Sequence, residues 1–265
     1  MAGDTTNSSD EETEGAGSDP AHSTEYVRAI EPTELRETGT DGRADAEYGA
    51  VTLVGVVHDH PASVARVQRV VADSGHETLA LELPPLAVPL FERYAADTIS
   101  PPSTGGEMSA AIQASDAART AGIDGPTPGF AGRLGRHLLA ERPPIETTRT
   151  AIGRFVRASG HAVACRAGAV LGAVTGREPE LSAPREHAVT AEDPPSVQAR
   201  DERKQVRLAR SVAAAFGRDR SVATRDELRE AHMADRLATL AQSGAVVAVL
   251  GVDHVDSVAD RLSTV

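Results

Sequence analysis

Two short strings in this chain match each other and fix where a sheet can lie: Gly55–His58 (GVVH) and Gly251–His254 (GVDH). Each closes a run of small and β-branched residues, VTLV at Val51–Val54 and AVVAVL at Ala245–Leu250, and each precedes a stretch that reads as helix. The tripeptide SVA follows both, at Ser63–Ala65 and Ser257–Ala259. Continuous apolar runs of this kind suit strands buried on both faces, as in parallel sheets covered by helices. In such sheets ligands bind at the carboxyl ends of the strands. Two histidines presented there can share one site although they lie near opposite ends of the folded chain.

The rest of the chain fits an α/β domain. Val51–Val57 reads as a strand, and Asp59 or His60 can cap a helix that starts at Pro61, a favoured first helical position. Val64, Val67, Val70 and Val71 share one face of that helix, Gly75 ends it, and Thr78–Leu83 is the next strand. This βαβ unit makes the two strands parallel, with a right-handed crossover. Pro84 and Pro85 break the chain before a helix over Leu86–Ala95. Ile99–Gly106 and Gly122–Gly129 read as loops flanking a helix over Glu107–Ala121. Gly132–Ala140, Ile145–Ser159, Ser196–Phe216 and Thr224–Ser243 carry helical patterns, with Gly176–Pro195 as a polar linker or mobile loop. Ala245–Leu250 is a late strand and Val255–Leu262 a closing helix. The expected architecture is one α/β domain over 48–265: a mixed or parallel sheet core with paired strand–GxxH–helix units. About 125–220 is then a helix-rich middle insertion or cap.

Charge sets the first 47 residues apart. Thirteen of the 39 Asp and Glu residues lie there against three Arg, so most of the net charge of −12 sits on this segment, which reads as a disordered acidic tail. Without a basic face the chain is not expected to bind nucleic acid. Lys204 is the only lysine among 27 basic residues, an acidic, Lys-poor composition like that of halophilic archaea, suited to a salt-rich cytoplasm. Cys165 is the sole cysteine, which excludes a disulfide framework and a Cys-rich zinc site. The start of the chain lacks the basic and apolar regions of a secretory signal. The longest apolar stretch, Ala162–Thr175, is interrupted by Arg166 and too short to span a bilayer. A soluble, cytoplasmic protein is expected.

A few residues stand out chemically. His58 and His254 form a natural pair of ligands for a divalent transition metal. Glu82 lies in the hydrophobic strand TLALEL, where an unpaired carboxylate is costly; it needs a metal, an Arg or a raised pKa. It is read as a metal ligand, a general base or a salt-bridge partner. Glu107 follows Gly105-Gly106 at a helix start, either as a dipole-stabilising residue or as a site carboxylate. Arg229 can bind an anionic group or an oxyanion, or lie on the surface. Asp59, His60, Asp253 and Asp256 flank the two motifs as partners of the histidines or as caps, with capping favoured for Asp59 and Asp256. Two His with one or two carboxylates suit Zn, Mn, Co or Fe without choosing among them, with Zn, Mn or Co the expected set.

These same residues carry a family resemblance. The segment VTLVGVVHDHPASVARVQRVVADSGHETLALELPP resembles the start of the TraB/PrgY domain: a strand, Gly-Thr-x-His, a helix beginning near a Ser, and a strand ending in Val-Glu-Leu. GGEMSAAIQAS is similar to that family's Gly-x-Glu-x-x-x-Ala-Ile helix. REAHMADRLATLAQSGAVVAVLGVDHVDSV is similar to its Arg-Asp-x-x-Met-Ala helix, strand and Gly-x-x-His-Val. The chain differs in having Val56 for Thr, Glu230 for Asp or Asn, Pro84–Ala87 for a Cys-x-x-Arg stretch, and Asp124-Gly125 for an Asp-Arg pair. TraB-like domains are related to the Tiki and GumN proteins and, more distantly, to erythromycin esterase and ChaN-like proteins. The resemblance implies a metal-dependent hydrolase site built on His58, Glu82, Glu107, Arg229 and His254, with peptidase activity as in the Tiki branch. For the TraB branch it implies shutdown of peptide-pheromone signalling.

Three functions follow as expectations. In the first, His58, His254 and Glu82 hold a metal, with Glu82, Glu107 and Arg229 as catalytic groups of a hydrolase whose candidate substrates include peptides. In the second, the same cleft sequesters a peptide, small molecule or cofactor without turnover. In the third, the acidic tail recruits a partner to a scaffold. A homodimer is left open.

Overall fold

The computed structural model describes residues 24–36, 48–176, 179, 185–216 and 220–264. One five-stranded sheet forms the middle layer. Its strands are β1 (Val27–Ile30), β2 (Val51–Val56), β3 (Thr78–Leu81), β4 (Arg119–Gly122) and β5 (Val246–Gly251), in the order β1-β2-β5-β3-β4. β1 runs antiparallel to β2, and the other four are mutually parallel. The mixed α/β class expected from the sequence is therefore present. The two strands of the expected βαβ unit are parallel, but β5 lies between them rather than at an edge. The most apolar run of the chain thus takes the most enclosed position.

Alternation along β5 shows how the layers form. Val246, Ala248 and Leu250 face one side, where they pack with α8 (Arg220–Ala241) and α9 (Val252–Thr264) through Met233, Leu237 and Val258. Val247 and Val249 face the other, against α2 (Pro61–Asp73) and α4 (Gly106–Ala114) through Val67, Val71, Met108 and Ala111. With a core this poor in aromatics, stability comes from many aliphatic side chains, each contributing roughly 1.5–3 kcal/mol when fully buried. The start of α2 follows the sequence: Pro61 opens the helix, and His60 caps it by accepting the Ala62 N–H at Nδ1, 3.1 Å away.

Several expectations need correction. Residues 24–36 are not tail: Tyr26 and Ile30 are buried, β1 extends the sheet, and Leu35 of α1 (Pro32–Arg36) is 1 % exposed in the core. The acidic residues interleaved there mask a short strand–helix pattern. The rest of the expected tail, 1–23 and 37–47, lies outside the described residues. The helix expected over Glu107–Ala121 ends at Ala114, and β4 follows it. Four residues paired only to β3 carry too weak a local signal to compete with helix propensity, so tertiary pairing decides. The apolar stretch Ala162–Thr175 is the second half of α6 (Ile145–Thr175), which docks Cys165 and Ala169 on Leu90 and Tyr94 of α3 (Val88–Ala95). Between 125 and 220 the described residues form α5 (Pro128–Glu141), α6 and α7 (Pro195–Phe216), with no strand. Among the described residues no helix is long and apolar enough to cross a membrane.

One polar interaction was invisible in the sequence. Arg66 of α2 is fully buried and pairs with buried Glu202 of α7. It also donates to the Gly55 carbonyl at 2.8 Å and lies 4.8 Å over the Tyr26 ring. Ser63 donates to Glu202 at 2.5 Å and accepts the Val57 N–H at 2.8 Å. Removing one partner of a buried pair strands the other charge, so Glu202→Ala is expected to cost about 3–5 kcal/mol. Urea denaturation checks this; a loss below about 1 kcal/mol, the scale of an exposed pair, would place the pair outside the folding core.

Candidate functional site

The parallel strands deliver one polar residue each to the same edge of the sheet. Immediately beyond the carboxyl ends of β2, β5, β3 and β4, in that spatial order, come His58, His254, Glu82 and Asp124. This is the edge where α/β sheets bind ligands. The two histidines arrive differently. His58 sits in a turn before α2, beside Asp59 at φ 60°, whereas His254 already lies inside the first turn of α9, which begins at Val252 and not at Val255 as expected.

Each ring is held by a buried carboxylate. His58 Nδ1 is 2.7 Å from Glu107 Oε1, and the second Glu107 oxygen accepts the Asp59 N–H at 2.9 Å. His254 Nδ1 is 2.9 Å from Glu230 Oε1. Glu107 comes from the first turn of α4 and Glu230 from α8, and their side chains are only 3 % and 6 % exposed. An Nδ1 hydrogen bond of this kind fixes the ring's tautomer and direction and turns Nε2 away from the carboxylate. The Nε2 side of His58 and the ring edge of His254 both face the backbone of Gly251. A Cβ placed there would lie 3.8 Å from His58 Nε2, 3.6 Å from His254 Cδ2 and 3.4 Å from Glu82 Oε2. Gly55 serves a different purpose: a Cβ there would press to 2.9 Å from Val255 Cγ2 and 3.1 Å from the Tyr26 carbonyl, so its bareness lets β2 approach α9.

Arg229 of α8 ties the other carboxylates together. Its guanidinium donates to both Asp124 oxygens at 3.1 and 2.8 Å, and to Glu82 Oε1 at 2.6 Å; a third nitrogen is 3.3 Å from His254 Nε2. The second Glu82 oxygen accepts the Gly251 N–H at 2.5 Å. Burial opposes the charge on Arg229, but Asp124 and Glu82 outweigh it and hold the group protonated. The Glu107 hydrogen bond pushes the His58 pKa up, against burial. Burial lowers that of His254, yet its Glu230 hydrogen bond and the Glu82 charge leave it raised.

All five expected residues (His58, Glu82, Glu107, Arg229 and His254) therefore meet at this edge. Their contacts separate them: Glu107 touches His58 from behind, while Arg229 joins Glu82 to His254. Sequence reasoning did not single out Asp124 or Glu230 as site residues. The adjacency of Glu230 to Arg229 and the position of Asp124 after a strand were the available signals, and the second required recognising β4. His187 and Arg185 were also missed, within the stretch expected to be a linker. His187 Nε2 donates to the His58 carbonyl at 2.9 Å, and the Arg185 N–H donates to Asp59 Oδ2 at 3.0 Å. Two capping assignments are corrected: His60 caps α2 while Asp59 holds Arg185, and Asp256 lies within α9, 3.3 Å from Arg28.

Among the described residues no group of three or more His, Cys, Asp or Glu stands arranged to hold a metal ion, and Arg229 and the Gly251 N–H engage the two Glu82 oxygens. The donor types nevertheless suit one. Four carboxylates (Glu82, Glu107, Asp124 and Glu230) face one guanidinium and two imidazoles, a charge balance that a cation would correct. No family model, curated protein or solved structure matches the chain, so the likeness to TraB/PrgY rests on its motifs.

The Glu107 contact has a direct readout. In metal-free protein, His58 should titrate above the ordinary imidazole value of about 6.5. Glu107→Gln keeps a hydrogen-bonding group and removes the charge, so the His58 midpoint should fall. Histidine ring NMR measures it; an unmoved midpoint would mean that Glu107 does not control the ring.

Proposed function

We propose that this cleft is the centre of a metal-dependent hydrolase, in which His58, His254 and Glu82 hold a divalent cation of the Zn, Mn or Co type. One observation carries the reading: each GxxH histidine rests its Nδ1 on a buried glutamate and turns its ring toward the same glycine, Gly251. Histidine ligands of catalytic metals are characteristically backed by carboxylates in this way. When bound, such a cation polarises a carbonyl and makes hydroxide available near neutral pH.

The chain's own groups have distinct tasks. Glu107 and Glu230 are positioning residues, acting through the two rings. Glu82, 5 % exposed beside His254, is placed to serve as a ligand or to accept a proton from attacking water. Arg229, held two-pronged by Asp124, presents fixed positive charge where a substrate oxygen would become negative. The resemblance to TraB/PrgY and its Tiki relatives makes peptides the first substrate class to screen.

Elemental analysis of purified protein incubated with Zn, Mn or Co is the first test. Stoichiometric metal is expected in the wild type and none in a His58→Ala/His254→Ala double variant whose fold is confirmed by circular dichroism. No metal in either would sink the proposal. Gly251→Ala provides a second test. Its methyl would meet Glu82 and both rings only at ordinary contact distances, so stability should stay within about 0.5 kcal/mol while metal uptake and turnover fall. Full metal uptake by that variant would mean that the cation is not held at this glycine.

A second reading is favoured by Arg229, whose contacts with Glu82 Oε1 and His254 Nε2 occupy atoms that a metal would need. In it the cleft is a metal-free binding site for a peptide or small molecule in a regulatory protein. Ligand-dependent stabilisation without turnover under any metal would support it.

A further inference from the structure

Beside the site, the helices α5, α6 and α8 line a half-open cavity of about 1060 Å³, at the upper end of small-molecule pockets, which run to roughly 1,000 Å³. Asp124 and Arg229 belong to its wall, so the cavity adjoins the site at these two residues. Much of its lining is apolar. Phe130 and Phe155 stack across α5 and α6 with ring centres 6.1 Å apart, and Leu138 and Leu228 extend the same surface.

The charged lining is lopsided. The side chains of Arg142, Arg154 and Arg157 face this space and have no hydrogen-bond or ion-pair partner among the described residues. The other two arginines of the wall are already matched, Arg225 by Asp226 and Arg229 by Asp124 and Glu82. Glu141 is the one carboxylate of the lining outside that site, and it does not pair with the three free guanidiniums. A planar guanidinium recognises a carboxylate through two parallel hydrogen bonds, which adds geometric specificity to the charge attraction.

We infer that this cavity is the specificity pocket of the same site, and that it takes a ligand with a carboxylate head and an apolar body. The inference rests on the reading of the cleft as the functional site, but not on its metal. The apolar body lies along Phe130 and Phe155, the head meets Arg154 and Arg157, and the portion near Arg229 reaches the histidines. Such a head belongs equally to an acyl chain or to the C-terminus of an apolar peptide, and the test separates the two.

The test uses full-length protein and isothermal titration with two matched pairs: decanoate against decanamide, and acetyl-Leu-Phe-Leu as free acid against its amide. At least one acid should bind about tenfold or more tightly than its amide, and the pair that shows the gap identifies the source of the head. Arg154→Ala/Arg157→Ala alters two exposed side chains, so the fold should persist while the gap closes. Acid and amide binding alike in both pairs, or a gap that survives the arginine variant, would overturn the inference. The same titration on His58→Ala/His254→Ala keeps the two ideas apart. A gap retained there supports the pocket even if no metal binds, whereas a gap lost there but kept in the arginine variant overturns the pocket and leaves the metal question to elemental analysis.

Discussion

The buried pair between Arg66 and Glu202 sets the relation between the parts of this molecule. Two charges out of water gain little by themselves, because desolvation offsets most of their attraction. Here the pair has additional partners that make its geometry specific. Arg66 also binds the Gly55 carbonyl, and Ser63, bonded to Glu202, accepts the Val57 N–H. The backbone of the first GxxH motif is thereby clamped on both sides of Val56 by α2, and α2 is clamped by α7. A helix far along the chain thus fixes the turn that aims His58. Apolar packing alone would hold α7 against α2 without choosing this register, since aliphatic surfaces tolerate sliding that a bonded guanidinium does not.

The second constraint is topological. β5, formed last along the chain, enters between β2 and β3. This central insertion gives the site its compactness: the carboxyl end of β5 stands between those of its neighbours, so Gly251 lies between His58 on one side and Glu82 on the other. Had β5 joined at the edge, the two histidines would be separated by the width of intervening strands, each about 4.8 Å. The last helix closes the arrangement. By starting at Val252, α9 places His254 in its first turn, where Glu230 of the neighbouring α8 reaches the Nδ1 of its ring.

Much of this plan was legible in the sequence, for identifiable physical reasons. The runs at Val51–Val54 and Ala245–Leu250 are strong because a strand buried on both faces must be apolar throughout. Glu82 was visible because a carboxylate in such a run is costly without a partner. What remained hidden depends on long-range pairing. β4 has only four residues, two of them buried, and gains its identity from β3. Asp124 was lost with it. The strand at Val27–Ile30 was hidden by the acidic residues around it, since charge counts over a window cannot see a single buried Tyr26 or Ile30. His187 was obscured by a polar, Pro-containing stretch, whose described part is pinned to the His58 turn by one hydrogen bond from that ring and another from the Arg185 N–H.

Arg229 joins two regions of opposite character. Behind it lie four carboxylates around two imidazoles; before it lies a cavity whose unmatched charges are all guanidinium apart from Glu141. A lysine could neutralise Glu82 there, but its single nitrogen could not grip both Asp124 oxygens and still reach Glu82 and His254. The planar fork does so, and the hold of Asp124 keeps it from swinging into the cavity. The charges therefore lie unevenly across Arg229. If the cavity takes the anionic ligand we infer, that charged end would be drawn toward the arginines and away from the carboxylates around the histidines, so the ligand would enter in one orientation. That orientation would require no closing motion, only that the fork of Arg229 stay where Asp124 holds it.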